Sequence, residues 1–156
     1  MPSFASQKAR HNVTHENART TALTTESLIE AAKVIPEGKP FYMLNLLRYK
    51  ERAEYPEGTG LGPCSGREAY HRGYVGTFIK LTEGMPVEVA WLGSVIAGLV
   101  APPGERWDEL AIVRYPSFAA FRSYVESNAY ETEAVPHRIA ALDDWRLLAT
   151  VKLDTP

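Results

Sequence analysis

A single cysteine, Cys64, rules out an intrachain disulfide, and no second thiol stands near it to share a metal ion. No stretch approaches the roughly 18 consecutive apolar residues of a membrane-spanning helix. The start of the chain also lacks a basic segment running into an apolar one, so neither a membrane anchor nor a secretory leader is expected. Excess charge is missing too: 17 Lys and Arg against 19 Asp and Glu leave a net charge of -2, no electrostatic footprint for nucleic acid or an anionic membrane. Phosphate-cradling motifs of the GxGxxG or Walker type do not occur. The absences together predict a cytoplasmic, reducing setting.

What is present suits one domain. The 156 residues, 45% of them apolar, are enough for one sizeable core and an appendage. Residues 1–22 are polar and unpatterned and read as a flexible arm, leaving 23–156 as the domain. Thr24 or Thr25 can cap a helix carrying Leu28, Ile29, Ala32 and Ile35, which Pro36 to Pro40 stops. Phe41 to Tyr49 then reads as a strand apolar on both faces, interrupted only by Asn45 and Arg48.

A Gly- and Pro-rich loop over 50–65 leads to a helix over 66–83, with Tyr70, Tyr74, Phe78 and Leu81 on its apolar side. Val87 to Val100 is strand material bent at Gly93 and Gly98, and Trp107 to Tyr115 is a third strand. A helix capped by Ser117 carries Phe118, Phe121 and Tyr124. Pro136 breaks a further short helical piece, and Trp145 to Val151 closes the sheet. The order is a helix followed by β-α-β-β-α-β: an α+β fold of ferredoxin-like type with a four-stranded antiparallel sheet. Helices cover one face of such a sheet, yet its first and last strands are apolar on both. A second copy is therefore expected on the other face, making a homodimer.

Four ordered blocks carry a resemblance: Met43-Leu44-Asn45-Leu46-Leu47-Arg48, Trp107-Asp108, Val113-Arg114-Tyr115-Pro116-Ser117, and His137-Arg138 with Ala141-Leu142-Asp143-Asp144. Over about residues 40–150 the chain resembles the uncharacterised DUF1330-type family of the dimeric α+β barrel superfamily. The resemblance implies the fold and the dimer. It also implies chemistry of the kind run by cofactor-free monooxygenases, polyketide cyclases, dehydratases and muconolactone-type isomerases, or a haem-handling role. The arm and the loop around Cys64 depart from the basic pattern.

Several side chains could carry such chemistry. His137 and His71 carry imidazoles, the side chain that ordinarily exchanges protons near neutrality, and suit general acid-base work, although each could instead serve the structure or face solvent. Asn45, inside an apolar strand, either braces the core or orients a carbonyl oxygen. Tyr70 and Tyr74, one turn apart, could donate to an enolate oxygen or to backbone carbonyls. Trp91 and Trp107 could wall a pocket for a planar substrate. Arg48 and Arg114 could clamp an anion, or pair with Asp108, Glu109, Asp143 or Asp144. Odd spacing puts Asn45 and Arg48 on opposite faces of a regular strand.

Metal and nucleophile readings are thinner. His11, His15 and Glu16 have helical ligand spacing without the zincin order, and Ser65, His137 and Asp143 have no nucleophile-elbow context. The expected function is a small-molecule enzyme without cofactor or metal, of cyclase, isomerase, dehydratase or monooxygenase type, acting on an aromatic or polyketide-like substrate such as those of secondary metabolism. A non-catalytic dimer that binds a hydrophobic ligand and a haem-handling protein are the alternatives.

Overall fold

The computed structural model describes residues 18–156. Helix α1, Thr25–Ala32, starts in a reciprocal cap: Ser27 N donates to Thr24 Oγ1 at 3.1 Å and Thr24 N donates to Ser27 Oγ at 3.3 Å. It buries Leu28 and ends a turn earlier than its apolar pattern suggests. Strand β1, Phe41–Tyr49, alternates strictly between buried and half-buried positions. Phe41, Met43, Asn45, Leu47 and Tyr49 lie on the inner face, under the helices; Tyr42, Leu44, Leu46 and Arg48 lie on the outer one. Within one chain, then, only one face of β1 is fully covered.

Helix α2 runs through three stretches, Gly66–Glu68, Ala69–Val75 and Gly76–Leu81, the middle one π-wound. Ser65 and Glu68 cap it reciprocally. Gly66 is obligatory there, because a Cβ would collide with the carbonyl oxygens of Lys50 and Ala141. Strand β2, Glu88–Ser94, is shorter than the apolar run, and its irregularity falls between Val89 and Trp91 rather than at Gly93 or Gly98. Beyond it the chain leaves the sheet and exposes Ile96, Leu99 and Val100 almost completely.

Strand β3 is Glu109–Tyr115, and helix α3, Phe118–Val125, is capped by Ser117. Helix α4 joins a π-wound stretch, Tyr130–Ala134, to Val135–Ala141. Pro136 does not break it. The residue sits at the junction where the helix changes from π to α winding. Strand β4, Leu142–Thr150, begins three residues before Trp145.

The four strands form one antiparallel sheet in the order β2-β3-β1-β4, and with the helices this is an α+β fold. Buried side chains of all four helices pack on the inner face of the sheet in two clusters. One is built on Leu47, Tyr70, Tyr74, Tyr124, Tyr130 and Trp145, the other on Leu28, Phe41, Phe118 and Phe121. The outer face keeps Tyr42, Leu44, Leu46, Leu110 and Ile112 half-buried, with Trp91 60% and Leu148 52% exposed.

Residues 18–22 lie along β4 and α4. Trp145 N donates to Thr20 O at 2.9 Å, Thr20 N to Asp144 Oδ1 at 3.0 Å, and Arg138 Nη1 to Thr21 O at 2.7 Å. The rest of the expected arm, including His11, His15 and Glu16, lies outside the described residues. Among the described residues no helix is long and apolar enough to cross a membrane.

Candidate functional site

Between the inner face of the sheet and helices α2, α3 and α4 lies a cavity of about 120 Å³. The sheet supplies Met43, Asn45, Leu47, Glu109, Ala111 and Trp145, and the helices supply Tyr70, His71, Tyr74, Phe78, Tyr124 and Tyr130. Antiparallel register aligns the polar part of the floor: Leu47 faces Glu109 on one side and Trp145 on the other, and Asn45 lies one inward position along.

Asn45 is tied into this floor at both ends. Trp145 Nε1 donates to its Oδ1 at 3.2 Å, and its Nδ2 donates to Met43 O at 3.3 Å. An amide nitrogen carries two hydrogens, so one remains over at the cavity wall.

Glu109 opens β3 with its side chain only 4% exposed. Its Oε2 sits 3.1 Å from His71 Nε2 and 3.6 Å from Arg67 Nη2, while Oε1 is buried with no hydrogen-bond partner among the described residues. The Tyr49 hydroxyl lies 3.4 Å from the same His71 nitrogen. Burial, and after it the Glu109 charge, pushes the phenols of Tyr49 and Tyr70 well above their ordinary range. Burial also raises Tyr74, Tyr124 and Tyr130. These phenols are therefore neutral hydrogen-bond groups at physiological pH. Tyr74 and Tyr130 bond to each other, 2.9 Å between hydroxyls, and the Tyr124 hydroxyl is buried next to them with no hydrogen bond of good geometry among the described residues.

Asn45, Tyr70, His71 and Tyr74 are thus brought together around one cavity. His137 is not with them. It lies in an open groove lined also by Cys64, Arg72 and Lys80, where its Nδ1 meets the Tyr55 hydroxyl at 2.6 Å. Burial lowers its pKa from 6.5. Gly73 lets the ring pack against α2, because a Cβ there would overlap the imidazole.

Arg48 points away from Asn45, as the odd spacing predicts, and pairs with Asp143 at 3.1 Å. Arg114 and Trp91 are on the outer face, Arg114 opposite Tyr42 and Trp91 opposite Ile112. Trp107 bonds Glu105 outside the cavity. Ser65 is committed to capping α2 and Asp143 to Arg48 and Arg19, so neither forms a triad with His137. Among the described residues no three His, Cys, Asp or Glu side chains gather as metal ligands.

Glu109 carries more of this site than its sequence context suggests, since beside Asp108 it reads as a loop-end partner for an arginine. A clue exists: Glu109 shares the inward phase with Ala111, Val113 and Tyr115. Tyr49, Tyr124, Tyr130 and Trp145 gave no polar signal, being aromatic residues at ordinary core positions.

No family model and no curated protein matches the chain. Solved structures do. The methylated RPA0582 protein is 36% identical, over 85% of this chain and 94% of its own, with a TM-score of 0.74. A second structure of RPA0582, a protein of unknown function from Rhodopseudomonas palustris, is 35% identical over 86% and 97% with the same TM-score of 0.74. The chain belongs to the RPA0582 family. Kinship of this extent covers nearly all of the RPA0582 chain, so the α+β architecture is a property of the family. The family relation brings no reaction with it.

Proposed function

We propose that the protein is an enzyme without cofactor that moves a proton at the carbon beside the carbonyl of a small, ring-sized molecule held in the inner cavity. The observation that carries this reading is Glu109, a buried carboxylate among the cavity's lining residues whose Oε1 has no hydrogen-bond partner among the described residues. A polar atom left so is costly to the fold, and such costs concentrate where chemistry needs them.

In the proposed step, Glu109 Oε1 takes the proton from carbon. The C–H electron pair becomes the enolate π bond, and the carbonyl oxygen gains the negative charge. The Tyr70 hydroxyl and the spare Asn45 N–H are the neutral donors available for that oxygen. His71 holds Glu109 through Oε2 and leaves Oε1 to react. Return of the proton to a different carbon gives an isomerase; attack of the enolate carbon on a second carbonyl of the molecule, whose oxygen takes the Glu109 proton, gives a cyclase; departure of a β-hydroxyl as water, with the Glu109 proton, gives a dehydratase.

Size narrows the substrate class. A cavity of about 150 Å³ admits benzene, so about 120 Å³ suits a single small ring rather than a fused polyketide skeleton. The same limit weighs against a tetrapyrrole. A carrier of apolar ligands, for its part, has no use for an unpaired buried carboxylate oxygen.

The test is substrate-independent: cyclohexanone in D2O, with NMR following deuterium entry at the carbons beside the carbonyl. Exchange above the buffer rate that disappears in Glu109→Gln supports the reading. Exchange at the buffer rate with the unaltered protein rejects it.

The ferredoxin-like, dimeric α+β barrel arrangement belongs to the same proposal. Its support is the strand order β2-β3-β1-β4 together with an outer sheet face of Leu44, Leu46, Ile112, Trp91 and Leu148. A second copy laid sheet to sheet would cover that face. A sizing measurement at micromolar concentration showing a monomer would contradict it.

A further inference from the structure

Of the residues around the inner cavity, Val89 and Leu92 alone are more than half exposed, 54% and 57%. Both belong to β2, the edge strand, so the cavity opens along that edge. On a regular strand their odd separation would put them on opposite faces. The bulge at Ala90 removes the conflict: Val89 stands opposite Val113 and Leu92 opposite Ala111, two inward positions of β3. Three steps on one strand thus answer two on the other, and both side chains line the cavity. Ala111 makes the way out. It lies in the cross-strand row between Asn45 and Leu92, where its methyl group leaves the floor low from the cavity to the edge. The next inward residue of β2 is Ser94, opposite Glu109, so this edge carries no charge toward the cavity. Leu92 is the diagonal neighbour of Glu109 in the same register, about 7–8 Å away across the strands.

We infer that the substrate ring carries an apolar chain away from its carbonyl, and that this chain leaves the cavity over Ala111 and lies along Leu92 and Val89. The inference rests on the proposed cavity site and names the class of molecule it takes, an alkyl-substituted cyclic ketone. The ring occupies the enclosed space of about 120 Å³, whereas the chain needs no enclosed volume because the β2 edge is open. A charged chain would meet no partner on Val89 and Leu92, and an apolar one takes both side chains out of water. Bulges recur beside active sites, where they re-aim a side chain, and this one brings Val89 to the face of Leu92. The two are then specificity residues: they select a chain-bearing ring over the bare one and touch no reacting atom.

The experiment follows binding of cyclohexanone, 4-ethylcyclohexanone and 4-butylcyclohexanone to the full chain and to Leu92→Gln by NMR. The expected dissociation constant falls about twofold for each added carbon, against about fourfold for a methylene buried completely, so the butyl compound binds about tenfold tighter than cyclohexanone or better. Nuclear Overhauser contacts should join its butyl protons to the methyl groups of Leu92 and Val89. In Leu92→Gln the gain from the chain should shrink to about threefold or less while cyclohexanone binding stays the same. Affinity that is flat or falls with chain length, a gain that survives Leu92→Gln, or butyl contacts to other methyl groups only overturns the inference and leaves the cavity reading in place. Binding of none of the three ketones overturns both. Because the series is compared on the unaltered protein, the result stands even if the variant fails to fold.

Discussion

Trp145 and Asn45 meet across neighbouring strands, 100 positions apart in the chain, through an indole N–H that donates to the amide oxygen at 3.2 Å. The bond satisfies the donor of a buried tryptophan and fixes the orientation of an asparagine at the cavity floor. Asn45→Ala leaves that N–H buried and unpaired, so it is expected to lower stability by about 1–3 kcal/mol. Denaturant unfolding of the two proteins reads the difference; an unchanged midpoint and slope would show that the bond does not brace the fold.

Glu109 makes the opposite case. Glu109→Gln keeps the shape and an acceptor for His71 and gives up only the ion pair to the exposed Arg67, so stability should change little, while carbon-acid exchange falls by about 10²-fold or more. Thermal melts and the deuterium assay on the same preparation separate the two effects. A loss of both together would make Glu109 a structural residue.

Gly73 determines where His137 can sit. Gly73→Ala drives a methyl into the imidazole, so the ring must shift into the groove, at an expected cost of about 0.5–1.5 kcal/mol for the lost hydrogen bond. The Tyr55–His137 bond should part as well, visible as a shift of the histidine ring resonances in NMR.

His137 also contributes a pH dependence of known sign. Burial holds its folded-state pKa below the unfolded value of about 6.5. As pH falls through 6.5 the unfolded chain takes up a proton before the folded protein does, so stability drops until the pH passes the lower folded-state pKa. Above 6.5 the group is neutral in both states and adds no slope. Stability measured from pH 7.5 downward should therefore fall less steeply in His137→Gln than in the unaltered chain; parallel curves would remove His137 as the cause.

The outer sheet face gives a fifth expectation. Leu148→Glu puts a charge at a half-exposed apolar position opposite Leu44. It should convert a dimer into a monomer on a sizing column with the circular dichroism spectrum unchanged.

Much of this arrangement is legible in the chain itself. The helices with reciprocal or serine caps, the direction of Asn45 against Arg48 and the inward phase of Glu109 all follow from local spacing. What spacing does not reveal is which distant partner each side chain meets. His137 follows a proline that reads as a breaker, but Pro136 starts a helical turn, and the imidazole is held by Tyr55, 82 positions away. Asn45 is similar, because its partner Trp145 belongs to the last strand. Glu109 reads equally well as a solvated loop-end acid, and only the packing of α2 over β3 makes it a buried one. Local rules place a residue on a face, and non-local packing decides what it does there.

The two ends of the sheet bear on how the protein behaves in a crowded solution. An open sheet edge is a template for a stray strand, and through it for fibrils. The register break between Val89 and Trp91 disturbs one edge, and the other gives the Trp145 N–H to Thr20. Removing residues up to Thr21 would bare that donor in β4. Such a truncated chain should show faster aggregation on shaking, even where its unfolding temperature is little changed.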